Sequence, residues 1–201
     1  MTENKRPKIS CVVPFHFGMK NWQFFIARCL ESIEKQTFKE YEIVLIKHST
    51  MPVTSNRVIE SAKGDIIKVL YVDDWLESKD YLEKVYEVFL NSEVEWVITS
   101  ATNNPNPKWT DDIYTGNNKL GSPSALAFRN NFNEVGNELF DESLSWLLDA
   151  DLYKRLESRF GEPTILTDIS IGIGIHDGQV TQIMTNEEKS KEHNYLQKKY
   201  G

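Results

Sequence analysis

The sequence predicts an α/β fold in which a mainly parallel sheet is flanked by helices. Two observations support this fold. Runs of β-branched and aliphatic residues alternate with segments whose apolar side chains recur every three or four positions, and these are the patterns of buried strands and amphipathic helices. The connections between the segments are short, which is typical of consecutive βαβ units with right-handed crossovers. We therefore expect a nucleotide-binding-like N-terminal half.

The N-terminal half contains four predicted strands and three predicted helices. The strands are expected at residues 9–14, 41–46, 66–72 and 94–100. The helices are expected at residues 22–33, 53–62 and 79–91, where apolar residues fall on one helical face. No internal repeat or low-complexity segment interrupts this alternation.

The second half of the chain departs from the alternation. Residues 102–120 are rich in Asn, Pro, Gly and Asp and predict a long loop. We interpret it as an active-site flap, because long loops in compact domains are commonly functional. Further strands are expected at residues 124–129 and 164–175, and a helix at residues 146–160. Residues 186–201 predict a charged helix or a frayed end, with a solvated face formed by Glu187, Glu188, Lys189, Lys191 and Glu192.

The composition indicates one globular domain and argues against several partner classes. The 201 residues are 40% hydrophobic and 26% charged, which allows one sizeable core. The net charge of -7 disfavours nucleic acid and anionic membranes as partners, since both select basic surfaces. No apolar run approaches the roughly 20 residues of a membrane span, and residues 2–8 are too polar for a signal peptide. We expect a cytoplasmic protein in which Cys11 and Cys29 are buried and reduced.

Two adjacent carboxylates, Asp73 and Asp74, follow the predicted strand at residues 66–72. The carboxyl ends of parallel strands form the edge where open α/β sheets bind ligands. Two acids at that edge suit a divalent cation that in turn holds a phosphate. They equally suit a strand-to-helix turn in which Asp74 or Ser78 caps the next helix. The residues alone leave both readings open.

A series of short motifs follows one another along residues 8–160. The first are Ile9-Ser-Cys-Val-Val-Pro14 and the segments at residues 29–38, 41–46, 62–65 and 73–75. The later ones are the segments at residues 121–124, 128–129, 140–144, 148–152 and 155–156. In type and order they resemble the motifs of family 2 glycosyltransferases, a more specific signal than an isolated acidic pair.

The resemblance implies the A-type glycosyltransferase fold in a single domain. It divides the chain into a nucleotide-sugar-binding half at residues 8–100, an acceptor or catalytic half at residues 101–185 and a C-terminal tail. It also implies a reaction. A sugar moves from a nucleotide diphosphate sugar donor to a hydroxyl acceptor on a polysaccharide, glycolipid or protein, with inversion at the anomeric carbon.

The resemblance assigns roles to three carboxylates. Asp74 would bind Mn²⁺ or Mg²⁺, and Asp73 would lie near the donor ribose. A cation that bridges both phosphates stabilises the charge that develops on the departing diphosphate. Asp149 takes the place of the catalytic base that removes the acceptor's proton. The residues by themselves also allow Asp149 and Asp151 to be ordinary acids at a helix N-terminus, where the macrodipole favours negative charge.

Weaker site assignments come from the same resemblance. His176, in a tight turn after the last predicted strand, would be a further metal or diphosphate contact, although an exposed turn histidine is an equally good reading. For the donor nucleotide, we expect Pro14 and Phe15 to line the base pocket and Asn56 to lie near the ribose. Of the tryptophans near these segments, Trp109 is the one that we expect to touch a ligand.

The chain departs from the family pattern at several positions, among them Ser55, where relatives often carry an Arg before Asn56. Lys47 stands where relatives commonly carry an acid, and a lysine cannot accept a hydrogen bond from the uracil imide, so it would contact phosphate or another base. Tyr71 and Leu148 also replace family acids. These departures keep a non-catalytic sugar-nucleotide-binding protein as an alternative. A nucleotidyltransferase is a second alternative, although residues 15–20 lack a Gly- and Lys-rich phosphate loop. The donor sugar, the acceptor and the existence of a homo-oligomer stay open.

Overall fold

The computed structural model describes residues 6–16, 21–130 and 139–201. Its strands are β1 (Ile9–His16), β2 (Tyr41–His48), β3 (Ile66–Val69), β4 (Trp75–Leu76), β5 (Trp96–Ala101), β6 (Leu126–Arg129) and β7 (Thr164–Gly172). Its helices are α1 (Trp22–Glu34), α2 (Met51–Glu60), α3 (Tyr81–Phe89), α4 (Leu148–Phe160), α5 (Val180–Ile183) and α6 (Asn186–Tyr200).

The strands form one sheet with the order β2-β1-β3-β6-β5-β7-β4. Strand β1 runs parallel to β2 and β3, and β5 runs parallel to β7. Strand β6 is antiparallel to β3 and β5, and the short β4 is antiparallel to β7. The strands β1, β2, β3, β5 and β7 therefore all point the same way, which confirms the mainly parallel sheet. Their carboxyl ends lie along one edge.

The centre of the sheet is the core of the protein. Every residue of β3 and of β5 is buried, as expected for strands covered on both faces. Cys11 in β1 and Cys29 in α1 are fully buried, which confirms that prediction. Burial raises the pKa of the Cys11 thiol to about 12, so the thiol is neutral and acts as a small apolar side chain.

The predicted elements are present, with shifted ends. Strand β3 stops at Val69 instead of residue 72, and the chain then turns, with the backbone N–H of Asp74 donating to the carbonyl of Tyr71 at 2.9 Å. The acidic pair therefore lies in a turn between β3 and β4. Helix α2 begins at Met51, before the predicted start, because Pro52 fits the first helical turn.

The loop at residues 102–120 contains no helix or strand apart from the short 3₁₀ turn Ile113–Thr115. This agrees with the predicted long loop, while its role as a flap stays a prediction. The predicted strand at 124–129 begins with a 3₁₀ turn, Pro123–Ala125, and continues as β6. In the part of the chain that the structure describes, no helix is long and apolar enough to cross a bilayer.

The C-terminal segment is a continuous helix instead of a frayed end. A capping box starts α6: the Thr185 hydroxyl accepts from the Glu188 N–H, and the Glu188 carboxylate accepts from the Thr185 N–H. The prediction that Glu192 lies on a solvated face is wrong, because this side chain is only 9% exposed. It turns inward together with the buried Leu196, whereas Glu187 is 80% exposed.

Candidate active site

A cavity of about 300 Å³ opens at the carboxyl edge of the sheet. Three chain segments meet there: the turn after β3, the turn after β7 and the first turn of α4. They bring together four of the residues that the sequence singled out, Asp73, Asp74, Asp149 and His176. The cavity is also lined by Met51, Tyr71, Asn103, Ser122, Trp146, Leu148, Ile173 and Gln179. The two acidic segments of the sequence therefore line the same cavity, although Asp74 and Asp149 are 75 positions apart.

Asp73 and His176 form a direct contact inside this cavity. The Nε2 atom of His176 lies 3.1 Å from Oδ2 of Asp73. The other ring nitrogen, Nδ1, accepts a hydrogen bond from the backbone N–H of Gly178 at 3.1 Å. A neutral imidazole that accepts at Nδ1 carries its proton on Nε2, so His176 donates to the Asp73 carboxylate. The ring also packs against Phe25, with the ring centroids 5.0 Å apart.

Asp74 is the more buried of the two adjacent acids, with 3% of the residue exposed. Its Oδ1 accepts a hydrogen bond of 3.0 Å from the N–H of Gly174. Burial, and next the charge of Asp73, raise the pKa of Asp74 to about 8, against the opposing effect of hydrogen bonds from Ser124 and Gly174. A carboxyl group whose pKa is raised in this way ionises more readily when a positive charge lies close to it.

Gly174 allows this close approach of the β7 exit to the acidic turn. A Cβ atom at Gly174 would lie 2.1 Å from the carbonyl oxygen of Asp73, which a real side chain cannot do. The absence of a side chain therefore permits the hydrogen bond to Asp74. The sequence Ile171-Gly-Ile-Gly-Ile175 carried this signal in its alternating glycines.

Asp149 lies in the first turn of α4. Its Oδ2 accepts a hydrogen bond of 2.8 Å from Nδ2 of Asn118, and its Oδ1 accepts one of 2.8 Å from the N–H of Ala150. Burial nevertheless dominates and raises the pKa of Asp149 to about 7. A carboxylate with a pKa near the working pH is well matched to accept a proton from a hydroxyl group.

The donor set fits a cation that is shared with a phosphate-bearing ligand. Carboxylate oxygens suit Mg²⁺ and Mn²⁺, and Mn²⁺ also accepts imidazole nitrogen. Among the described residues, no group of three or more His, Cys, Asp or Glu side chains is arranged to hold a metal ion alone. Mg²⁺ is commonly bound by one or two carboxylates together with substrate phosphates. Asp74, Asp73 and His176 have the ligand atoms for such a shared site, and their role as metal ligands stays a prediction.

The predicted base-pocket residues lie apart from the acidic cavity. Pro14 and Phe15 are near the end of β1, where Phe15 pairs with Lys47 of β2. The Nζ atom of Lys47 is 4.9 Å from the ring centroid of Phe15 and 5.4 Å from that of Trp22. Phe15, Trp22 and Lys47 therefore form a second cluster on the carboxyl edge of the sheet, and they do not line the acidic cavity.

Asn56 is buried and Trp109 is partly buried, and both contact other residues of the protein. The buried Asn56 amide donates to the carbonyl of Phe140 and accepts from its N–H, both at 2.9 Å. This pair of bonds fastens the segment that leads to α4. The indole of Trp109 lies edge-on to Trp96, with ring centroids 6.2 Å apart. The structure does not bring either residue to the acidic cavity.

Comparison with known proteins gives a match in structure alone. No family model matches the chain, and no curated protein does either. Solved structures that match include Staphylococcus aureus TarS 1-349 in complex with UDP-GlcNAc, at a TM-score of 0.66 and 15% identity over 94% of this chain. The chain has the A-type glycosyltransferase fold.

Other solved structures match the chain to a similar degree. The complex of TarS 1-349 with UDP has a TM-score of 0.61 and 16% identity over 85% of this chain. The mannosyltransferase PcManGT from Pyrobaculum calidifontis, solved with GDP-Man and Mn²⁺, has a TM-score of 0.60 and 15% identity over 87% of this chain. The chain spans only part of these proteins: 61% of TarS 1-349 in the UDP complex and 59% of PcManGT.

Within this A-type fold, three polar residues near the site were not foreseen. Asn118 is one of several asparagines in a polar loop, and nothing local distinguishes it. Glu192 lies in a charged segment whose composition indicates solvent exposure, so the sequence does not indicate that it is buried. Lys68 did leave a signal, a lysine inside the apolar run of β3; it is fully buried and donates to the carbonyls of Val69 and Ser124. Burial lowers the pKa of Lys68 to about 7.

Proposed function

We propose that this protein is a metal-dependent, inverting glycosyltransferase of the family 2 type. It would transfer a sugar from a nucleotide diphosphate sugar to a hydroxyl acceptor on a polysaccharide, glycolipid or protein. The observation that carries the proposal is that two independent acidic segments, the Asp73–Asp74 turn and the first turn of α4 with Asp149, face one cavity. The complexes of TarS with UDP-GlcNAc and of PcManGT with GDP-Man and Mn²⁺ support the donor class.

The first acidic segment serves the leaving group. Asp74, assisted by Asp73 and His176, would hold Mn²⁺ or Mg²⁺. When bound, the cation would supply the positive charge that stabilises the departing diphosphate. The raised pKa of Asp74 supports this role, because a buried carboxylate without a cation nearby is unfavourable.

The second acidic segment serves the acceptor. Asp149 would take the proton of the acceptor hydroxyl as that oxygen forms its bond to the anomeric carbon. The bond between the anomeric carbon and the diphosphate oxygen breaks in the same displacement, and the electron pair leaves with the diphosphate. One displacement inverts the configuration at the anomeric carbon. The pKa of Asp149 near 7 leaves the base partly deprotonated at neutral pH.

The donor base would lie on the second cluster of the carboxyl edge. Phe15 and Lys47, with Pro14 beside them, are at the ends of β1 and β2, where α/β sheets commonly bind nucleotides. An aromatic ring and an ammonium group suit a base with exposed acceptor atoms. Residues 8–100 would then bind the donor and residues 101–185 the acceptor, and we place the reaction in the cytoplasm.

A thermal-shift screen tests the donor half of the proposal. The purified chain is heated with UDP, GDP, CDP and dTDP sugars, each with and without Mn²⁺, because a ligand that binds only the folded state raises Tm. We expect one nucleotide class to give a shift that requires Mn²⁺. No shift with any donor would refute the proposed function. A shift without any sugar transfer would favour the alternative of a non-catalytic sugar-nucleotide-binding protein.

A further inference from the structure

The segment that leads into α4 is held by Glu192, a residue of the C-terminal helix. Oε1 of Glu192 accepts a hydrogen bond of 2.8 Å from the N–H of Ser145. Oε2 accepts two more, from the N–H groups of Trp146 and Leu147, both at 2.9 Å. These three N–H groups belong to Leu147, the N-cap residue of α4, and to the two residues before it, and α4 has no side-chain cap from its own N-cap residue. One distant carboxylate therefore holds the segment that leads into the helix.

The same C-terminal helix holds α4 at a second point. Nζ of Lys199 and the hydroxyl of Tyr200 each lie 2.7 Å from Oδ1 of Asp151. Arg155 donates to the other oxygen, Oδ2, at 2.9 Å. Asp151 is fully buried, while the side chains of Lys199 and Arg155 are partly buried, so these bonds are partly shielded from water. Helix α6 therefore holds the chain both before and after position 149.

Asp149 depends on this anchored turn for its orientation. One of its oxygens is held by the N–H of Ala150 within the turn, and the other by Asn118 from the loop at residues 102–120. A shift of the turn relative to that loop would break the bond from Asn118, because a hydrogen bond tolerates only a small increase over its length of 2.8 Å. A displacement of about 1 Å at a catalytic group can lower the rate by about 100-fold.

We propose that Glu192 is a positioning residue, which fixes the first turn of α4 so that the Asp149 carboxylate faces the acceptor. This inference rests on the proposed function, and it assigns a role in the site to a residue of the C-terminal helix. The hydrogen bond from the Leu147 N–H to Glu192, which is 45 positions away, links the position of the C-terminal helix to the geometry of the base. The Glu192 charge also raises the pKa of Asp149 directly, although its effect is smaller than those of burial and of the hydrogen bonds from Ala150 and Asn118.

The pKa of Asp149 depends on burial, on hydrogen bonds and on the charges of the neighbouring groups. Burial is the largest influence on its pKa, and the hydrogen bonds from Ala150 and Asn118 oppose it. The titratable groups that surround it are Tyr71 after β3, Tyr153 in α4, Glu192 in α6, and the cavity residues Asp73, Asp74 and His176. Removal of the Glu192 charge alone would lower the Asp149 pKa slightly, whereas loss of the hydrogen bond from Asn118 would raise it.

The test compares Glu192→Gln with Glu187→Gln. Glu187 is on the same helix, but it is exposed and forms an ion pair with Lys191 at 2.9 Å, so E187Q is the matched control. Turnover is measured as nucleoside diphosphate release from the donor selected by the thermal-shift screen. For E192Q we expect kcat to fall by about 10- to 100-fold, with an unchanged KM for the donor. E187Q should behave as the wild type.

A spectroscopic reading accompanies the kinetics and needs no ligand. The side-chain amide resonances of Asn118 report its hydrogen bond to Asp149, and we expect them to move in E192Q and to stay in place in E187Q. If E192Q folds poorly, Glu192→Asp keeps the carboxylate one methylene shorter. We expect E192D to recover part of kcat and to restore the Asn118 resonances.

Wild-type kcat in E192Q with unmoved Asn118 resonances would overturn the inference and leave Glu192 as a residue that contributes to stability only. An equal loss of donor affinity and kcat in E192Q and E192D would also overturn it, since the damage would then be general. Failure of the proposed function looks different: Asp149→Asn would retain full turnover, while the Asn118 resonances in E192Q would still decide whether Glu192 positions residue 149.

Discussion

Asp73 and His176 are 103 positions apart in the sequence, and Nε2 of His176 lies 3.1 Å from Oδ2 of Asp73. This bond joins the turn after β3 to the turn after β7. It places the imidazole next to the acidic pair, and the Gly174 N–H reaches Asp74 from the same turn. The exit of β7 is therefore a wall of the acidic cavity, and changes in either turn should alter what the cavity binds.

Asp74→Asn should abolish donor binding that depends on Mn²⁺. A neutral amide provides no charge for the cation, and we expect donor affinity to fall by about 100-fold or more. The measurement is the Mn²⁺-dependent thermal shift with the selected donor. Asp177→Asn, at an exposed position of the neighbouring turn, is the control and should keep the shift. An unchanged shift in D74N would remove Asp74 from the metal site.

The same variant should change how stability depends on pH. Because the folded-state pKa of Asp74 is raised to about 8, the folded protein binds more protons than the unfolded chain between about pH 4 and pH 8, and its stability falls as pH rises through that window. D74N lacks this group. Without metal, the Tm of D74N relative to the wild type should therefore increase from about pH 5 to pH 8. A difference in Tm that stays constant over this pH range would contradict the raised pKa of Asp74.

Asp149→Asn should retain donor binding and lose sugar transfer. Asparagine keeps the shape of the side chain but cannot take a proton, and we expect kcat to fall by about 100- to 10,000-fold. In the wild type the base must be deprotonated. With the pKa of Asp149 at about 7, the rate should rise as pH increases through 7. A flat pH profile between pH 6 and 8, or turnover in D149N, would place the base elsewhere.

Asn118→Ala should move that pH profile. The Asn118 amide donates to Oδ2 of Asp149 at 2.8 Å and favours the ionised form. Its loss should shift the rising limb of the rate to higher pH, by about one pH unit. Asn117→Ala is the neighbouring control, since Asn117 donates to Asp112 instead. A shift in N117A, or its absence in N118A, would contradict the assigned contact.

Gly174→Ala should damage the site through the backbone. The new Cβ would meet the carbonyl oxygen of Asp73 at 2.1 Å, so the turn after β7 must move away from the acidic pair. Overpacking of this kind costs about 1 to 3 kcal/mol. We expect a lower Tm and no Mn²⁺-dependent shift. Ile175→Ala, at a neighbour that is 76% exposed, should have neither effect, and wild-type behaviour of G174A would show that the turn is adaptable.

Most of the elements and their order can be predicted from the amino-acid sequence. Strand and helix patterns depend on side chains within a few positions of one another, so β1 to β3, α1 to α3 and the buried cysteines followed from local spacing. The position of Asp73 and Asp74 at a strand exit followed as well. The motif series also led to the A-type glycosyltransferase fold, which the solved structures confirm at about 15% identity.

The contacts between distant polar groups depend on the tertiary structure. Asn118 reaches Asp149 across 31 positions, and Glu192 reaches the start of α4 across more than 40. No local pattern encodes such contacts, because they depend on how loops and helices pack once the sheet has formed. The same packing buried Glu192 in a segment whose composition indicates solvent exposure. It also placed Trp109 and Asn56 in internal contacts, away from the acidic cavity.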